Sequence, residues 1–448
     1  MQETKKIILS LLCLCTLSVQ GQGLSLDSCL SLARVNNADI LSSQLEVKKA
    51  REVRNQARTK YFPQVSGLAG GYHALQPLLE LNLNDLGNAQ ARDLLNSLYA
   101  AYGEALGLSN TFAMFRNGAV AGLMAVQPVY MGGKIVAGNQ LAQVGVEAAQ
   151  RQAQIIERDV LLQVEESYWL VVNLHAKQEL LDATTALLDT IETNVNAAVE
   201  AGLAIHNDLL RVQLKRNELE ALRIQLTDGL DLASRALAQS IGLDSVVIDV
   251  CLDTITPSTI HNSPSGAQST IPEIDLLQAG VKAARLRRRM DLADGLPHVL
   301  LGGSYNYGNI MNVEGIDLRN NGWKQNGMLF ASVQIPLTGW WETAHKLKEG
   351  RYAIEQAQLQ QRDLSQKLTL RHQQAVNEVH KTSSLLTQMR SSLDLARRNY
   401  ELAQTNYRAG LIPITELLEA QTLYQKAQTD LIDMHTQHCV AVHRAQVL

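Results

Sequence analysis

The chain has 448 residues, with 40 Lys and Arg against 44 Asp and Glu, so its formal net charge is −4 and no basic excess points to nucleic acid. A 46% hydrophobic content suffices for packed cores and excludes a disordered chain, yet no window reaches the roughly 18 apolar residues of a membrane-spanning helix. The 9 prolines leave residues 129–256 and 337–412 without one, which suits long helices because a mid-helix proline costs about 3 kcal/mol.

Residues 1–21 read as a secretory signal peptide. Lys5 and Lys6 form the charged start, Ile7–Leu17 the apolar stretch, and Ser18 and Gly21 lie in the small or polar end, with cleavage expected after Gly21. The protein is therefore expected to leave the cytoplasm. Lipid attachment at Cys13 or Cys15 is disfavoured, because Leu12 and Leu14 precede them where a small residue is needed. Cys29, Cys251 and Cys439 remain, an odd number spread over the chain that is no disulfide framework. Stability has to come from packing or assembly.

The rest of the chain is written twice. At an offset of 234, Val47-Lys48-Lys49-Ala50-Arg51 overlies Val281-Lys282-Ala283-Ala284-Arg285, and Pro63 overlies Pro297. At an offset of 208, Pro128 overlies Pro336 and Ala201-Gly202-Leu203 overlies Ala409-Gly410-Leu411, while Leu209, Leu210 and Gln213 match Leu417, Leu418 and Gln421. A register held without a gap is what a continuous helix enforces, since one inserted residue rotates every later side chain by about 100°. The offsets differ by 26, which places 26 extra residues of the first half in a polar loop around Leu78–Asn117. The repeats span about 24–242 and 272–448, joined by 243–271, a segment rich in Ser, Thr and Pro.

Within each half the expected order is helix, strand, loop, strand, very long helix, turn, long helix. Leu174, Leu181, Leu188 and Val195 share one seven-residue phase, and Val212, Leu219, Leu226 and Ala233 another. Leu386, Met389, Leu393, Ala396, Tyr400, Ala403 and Tyr407 alternate by three and four, the spacing of a coiled coil. Leu180 and Leu187 begin a second apolar stripe, so each helix is expected to pack on two neighbours. A helix from Lys134 to Glu200 would run about 100 Å at 1.5 Å per residue.

Strands are expected at about 64–73, 118–129, 298–308 and 328–337, where alternation as in Val299, Leu301, Gly303, Tyr305 and Tyr307 gives one apolar face. Nine or ten residues with one apolar face fit a membrane-spanning β-strand, and equally a half-buried soluble sheet. Membrane strands leave no open edge, and four cannot close a barrel, so the membrane reading requires oligomerisation. Tyr61, Phe62, Tyr130, Trp340 and Trp341 cluster at the strand–helix junctions, where an interfacial belt would sit; packing at a junction is the plainer explanation.

These features resemble the TolC-like outer-membrane efflux channels of Gram-negative bacteria. The resemblance is carried by Leu26-Asp27-Ser28-Cys29-Leu30-Ser31-Leu32-Ala33 with Asn36-Asn37, by Pro63-Gln64-Val65 and Pro336-Leu337, and above all by one run near the end of the chain. That run is Asn406-Tyr407-Arg408-Ala409-Gly410-Leu411 followed by Thr415-Glu416-Leu417-Leu418-Glu419-Ala420-Gln421. It covers essentially the whole chain after the signal. It implies a mainly α fold with membrane β: a homotrimer in which three sets of four strands make one 12-stranded barrel in outer-membrane lipid, continued by a periplasmic helical coiled-coil barrel. Residues 243–271 would form an equatorial belt, and the two Ala-Gly-Leu turns would lie at the periplasmic tip. The implied function is a passive exit duct for efflux or type I secretion. Its implied partners are a periplasmic adaptor protein and an inner-membrane pump of the RND, ABC or MFS kind.

The resemblance also assigns residues. Glu416 and Glu419, spaced i, i+3 on one helix face, match acids that face the pore and form its constriction. Six such carboxylates in a trimer would favour cations, although acids at a helix N-terminus also stabilise the helix dipole. Asp208 and Tyr407 match a polar tie that holds the closed tip, whereas Ile412 stands where an Arg makes a second tie in the family; Arg211 or His206 are alternative partners. Ala201, Gly202, Leu203, Ala409, Gly410 and Leu411 are the expected tip turns and adaptor contact.

Enzyme motifs are not found. There is no P-loop, zinc-protease helix pair or nucleophile elbow, and Gly67–Gly71 sits inside a strand candidate. His435, Cys439 and His443 form an i, i+4, i+8 stripe whose ends lie about 12 Å apart, too far to share one ion, so no metal and no cofactor are expected. The rival reading is an exported, soluble coiled-coil scaffold of the envelope.

Overall fold

The structure is a computed structural model that describes residues 24–76, 79–82, 87–102, 111–114, 117–202, 204–243, 271–309, 313–314 and 323–447. The expected signal peptide, Leu203 and residues 244–270 of the connector lie outside the described residues. In chain order the elements are α1 (Leu26–Asn36), α2 (Ala38–Thr59), β1 (Gln64–His73), β2 (Leu79–Asn82), α3 (Ala89–Tyr102), β3 (Thr111–Met114), β4 (Asn117–Met131), α4 (Lys134–Glu200), α5 (His206–Ser240), α6 (Pro272–Asp294), β5 (His298–Asn309), β6 (Val313–Glu314), β7 (Lys324–Gln334), α7 (Trp340–Arg408) and α8 (Ile414–Val447). Among the described residues no helix is long and apolar enough to cross a membrane. The chain divides into a unit of Ala50–Val146 and Ala279–Gln358, which carries the strands, and a helical unit of Met1–Lys49, Glu147–Gln278 and Leu359–Leu448.

In the strand-bearing unit a four-stranded antiparallel sheet runs in the order β1-β4-β5-β7. Each half of the chain supplies one hairpin, and the β4–β5 ladder from Ala119↔Asn309 to Met131↔His298 joins them. The strand expected at 328–337 instead covers Lys324–Gln334. It stops before Ile335, because Pro336 has no N–H to donate and biases the residue before it. The segment expected as a polar loop at Leu78–Asn117 holds β2, the helix α3 and β3, and β3 pairs with β2 and β6 in a second sheet.

In the helical unit two apolar cores hold the helices together. One packs Cys29, Ala33 and Ile40 against Val160, Val164, Tyr168, Val171 and Val172 of α4 and Ala233, Leu237 and Ala238 of α5. The other joins both helical hairpins: Leu181, Leu188 and Val195, Leu209, Val212 and Leu219, Tyr400 and Ala403, and Ile414 and Leu417. Of the heptad positions read from the sequence, Leu181, Leu188, Val195, Val212, Leu219, Ala233, Leu386, Tyr400 and Ala403 are buried, whereas Leu174, Leu226, Met389, Leu393, Ala396 and Tyr407 are half-buried. Each fully buried aliphatic side chain contributes roughly 1.5–3 kcal/mol.

The break between α1 and α2 has a local cause. Asn37 Oδ1 accepts from the backbone N–H groups of Asp39 (2.9 Å) and Ile40 (3.2 Å), capping α2, while its Nδ2 donates to the Ser240 carbonyl at 2.7 Å. One side chain thus starts a helix and fastens it to the end of α5.

Candidate functional site

The sheet has two chemically different faces. Residues paired across an antiparallel ladder point to the same side. One face therefore carries Val65, Ala69, Ala121, Leu123, Ala125, Val299, Leu301, Tyr305, Leu329, Ala331 and Val333, with Gln127 and Gln325 towards its two ends. The opposite face carries Gln64, Ser66, Ser304, Asn306, Lys324, Asn326, Ser332 and Gln334 among Val, Leu, Met and Phe residues. Glycines let large side chains lie flat on that polar face: a Cβ at Gly302 would stand 2.2 Å from Cζ of Phe330, and one at Gly118 2.3 Å from Cε1 of Tyr72.

Both outer strands, β1 and β7, have one unpaired edge in the single chain, and almost every residue of both is exposed. Long, regular open edges of 10 and 11 residues are templates for pairing with another chain.

The junction aromatics lie where the sequence reading expected them, and all five are exposed. Tyr130 reaches the apolar face because the register shifts between Pro128 and Tyr130 and pairs Tyr130 with Val299. Without that bulge Tyr130 would share the face of Pro128. At the other end of β5, Trp323 stacks on Tyr307 at 5.2 Å and 25°, a second aromatic group that sequence reasoning did not single out. From Tyr307 to Val299 is eight steps, about 27 Å along a strand and roughly 20 Å after a tilt near 40°. An outer-membrane barrel has an apolar band about 25 Å tall flanked by aromatics.

In the helical unit both hairpin turns hinge on a left-handed glycine, with φ +71° at Gly202 and +72° at Gly410. At the second turn Leu411 N–H donates to the Asn406 carbonyl (2.9 Å) and Gly410 N–H to that of Tyr407 (3.0 Å), the paired bonds of a Schellman cap. Ala201, Gly202, Ala409, Gly410 and Leu411 are exposed.

Glu416 and Glu419 are exposed on the face of α8 opposite the buried Ile414, Leu417 and Gln421. Tyr407 is half-buried; burial and then the Asp208 charge push its phenol up, so it stays a neutral donor near a carboxylate. Among the described residues no hydrogen bond joins the two within one chain. Ile412, like Tyr407 and Leu418, packs against the core of the two hairpins. His206 and Arg211 are exposed and make no hydrogen bond to Tyr407 among the described residues.

A polar layer crosses the helices farther along. Asn173 Nδ2 donates to Asp433 (2.9 Å) and Thr436 (3.1 Å), and Lys177 meets the same Asp433 at 2.6 Å. Glu165, buried, accepts from Trp169 Nε1 at 3.3 Å and stands 2.8 Å from His443 Nε2. The His435–Cys439–His443 stripe therefore belongs to helix packing. The thiols of Cys29 and Cys439 are pushed up to about 11 by burial, which keeps them protonated and unreactive near neutral pH. Among the described residues no group of three or more His, Cys, Asp or Glu is placed to hold a metal.

A duplicated chain of long helices, with a two-faced sheet left open at both edges, defines a membrane channel protomer. The profile of the family described as outer membrane efflux protein matches residues 29–243 and 264–444, so this chain belongs to that family. It is an outer-membrane channel of tripartite efflux systems with a periplasmic helical extension, from a family of trimeric channels and not of enzymes.

Solved structures share the fold. CusC matches with a TM-score of 0.76 at 15% identity over 95% of this chain and 94% of that one. The Campylobacter jejuni CmeC outer membrane channel matches with a TM-score of 0.75 at 14% identity, over 96% and 89%. The Neisseria gonorrhoeae MtrE channel, solved in its open state, matches with a TM-score of 0.73 at 14% identity, over 94% and 88%. The comparison with curated proteins finds no match to the sequence.

Proposed function

We propose that three copies close their four-stranded sheets into one 12-stranded barrel, β1 of one copy pairing with β7 of the next, with the apolar face toward lipid and the polar face lining the duct. The observation that carries this is the sheet itself, largely apolar on one side, richer in polar residues on the other, and open at both edges. Leu210, Leu214, Leu222, Leu395 and Leu402 on α5 and α7 are exposed, and neighbouring copies cover them. A periplasmic adaptor grips the turns at Ala201–Gly202 and Ala409–Leu411 and links the duct to an inner-membrane pump of the RND, ABC or MFS kind. Solutes leave through the tip when it opens.

Glu416 and Glu419 form the constriction. Six carboxylates in a narrow ring raise the local concentration of cations and repel anions. Native mass in detergent, measured on protein from washed outer membranes, tests the assembly: three chains support it and a soluble monomer rejects it. In planar bilayers the Glu416→Ala/Glu419→Ala double variant is expected to lose most of its cation preference, and an unchanged reversal potential rejects the assignment. The soluble-scaffold alternative has no use for an exposed apolar sheet face.

A further inference from the structure

The helical segments adjoining the strands are strongly basic. Over residues 50–60, 134–146, 279–294 and 340–358 there are thirteen Lys and Arg against six Asp and Glu, an excess of +7 in a chain of net charge −4. All four segments lie in the strand-bearing unit. Arg58, Lys60, Arg287, Arg289 and Lys348 are exposed, and none of them makes an ion pair among the described residues. The basic groups that are neutralised, Lys134 by Asp294 at 2.5 Å and Lys346 by Glu342 at 2.8 Å, leave the excess in place.

These charges sit beside the aromatic end of the apolar face. Lys60 immediately precedes Tyr61 and Phe62, four residues before β1 begins at Gln64. Arg289 falls nine residues before β5 begins at His298. Lys348 lies seven residues beyond Trp341 on α7, on the same helix face and about 10 Å away at 1.5 Å per residue; Trp341 is 81% exposed. Long basic side chains next to interfacial aromatics, within about 10 Å of an apolar band, reach the headgroup layer, where anionic lipids attract them within a Debye length of about 8 Å.

We propose that this collar is a binding surface for the anionic headgroups of phospholipids in the periplasmic leaflet of the outer membrane. The proposal rests on the reading that the apolar face of the sheet meets lipid. Three copies present an excess of about +21 around one barrel. The collar therefore selects anionic over zwitterionic lipid and holds the barrel at a fixed depth.

The test uses the full-length protein purified in a neutral detergent, with its native mass measured first; a chain that does not form trimers defeats the barrel reading itself, separately from the collar. Thermal unfolding is then followed with added phosphatidylglycerol or phosphatidylcholine. Phosphatidylglycerol is expected to raise the Tm by several degrees more than phosphatidylcholine, and this difference should vanish at about 0.5 M salt, where the screening length is roughly 4 Å. The variant Lys60→Gln/Arg287→Gln/Arg289→Gln/Lys348→Gln is expected to lose more than half of it, and Lys60→Arg/Arg287→Lys/Arg289→Lys/Lys348→Arg to keep it. Equal stabilisation of the wild type by the two lipids overturns the proposal, whether or not the Gln variant assembles. So does a Gln variant that keeps its lipid preference while its reversal potential in bilayers shifts, because the charges would then face anionic cargo inside the duct.

Discussion

Glu165 of α4 and His443 of α8 face each other at 2.8 Å, although 278 residues separate them, and the Glu165 side chain is only 5% exposed. Trp169 holds the other carboxylate oxygen from one turn along α4, and the neighbouring pair Glu166 and Arg444 bridges the same two helices. Removing the imidazole takes the nearest polar neighbour from one oxygen of a buried carboxylate. His443→Ala is expected to destabilise the helical unit by about 1–3 kcal/mol, read as a lowered Tm of the purified channel. Arg444→Ala, at a half-exposed pair, should cost under about 1 kcal/mol. Equal losses in the two variants would contradict this account.

Two glycines with the same backbone conformation should respond differently to alanine. At Gly410, φ is +72° and a Cβ meets nothing within 4 Å, so only left-handed strain counts, about 1 kcal/mol. At Gly242, φ is +74° and a Cβ would stand 2.6 Å from the Asn36 carbonyl oxygen. That contact lies beside the Asn37 cap, so strain and clash together should cost about 3 kcal/mol or more. Denaturation of the two variants side by side decides it.

Tyr407→Phe removes a neutral donor near the Asp208 charge while keeping the ring packed against the core of the two hairpins. Stability is expected to change by less than about 1 kcal/mol, whereas single-channel conductance should rise if the phenol holds the tip closed. A variant with wild-type current has no tie at this position.

His435 is buried with its Nδ1 unpartnered, and burial, followed by the charges of Arg390 and His438, pulls its titration below the ordinary range. His438, held by Thr382 at 3.0 Å, is lowered by burial and Arg390 in the same direction. Both imidazoles are neutral in the fold and take up protons more readily when it is lost. Their contribution is therefore complete above the ordinary histidine value near 6.5 and declines as the pH falls from there toward the folded values. The Tm should fall as the pH drops below about 6.5, and His435→Leu should flatten that dependence. A variant as acid-sensitive as the wild type would exonerate His435.

Much of this was legible in the chain because helices and strands write their packing periodically. The offset of 208 between the halves, the heptads around Leu188 and Leu219, and the Gly202 and Gly410 turns follow from local geometry, in which one inserted residue spoils the face. The 26 extra residues were visible as a difference of offsets but not as a helix and two strands, since short elements without strong periodicity leave little signal. Asn37 stood out only as part of a motif; its partner Ser240 lies 203 residues away.

The sequence by itself determined the duplicated architecture, the two glycine turns between the long helices, and a strand set with one apolar face, because each depends on residues within a few positions of one another. Tertiary structure alone decided which strands are neighbours, that a bulge at Pro128 brings Tyr130 to the apolar face, and that Trp323 meets Tyr307. It also decided that Ile412 packs against the core of the two hairpins and that Glu165 faces His443 of α8. Those outcomes depend on register and on contacts between residues far apart in the chain, which no local period encodes.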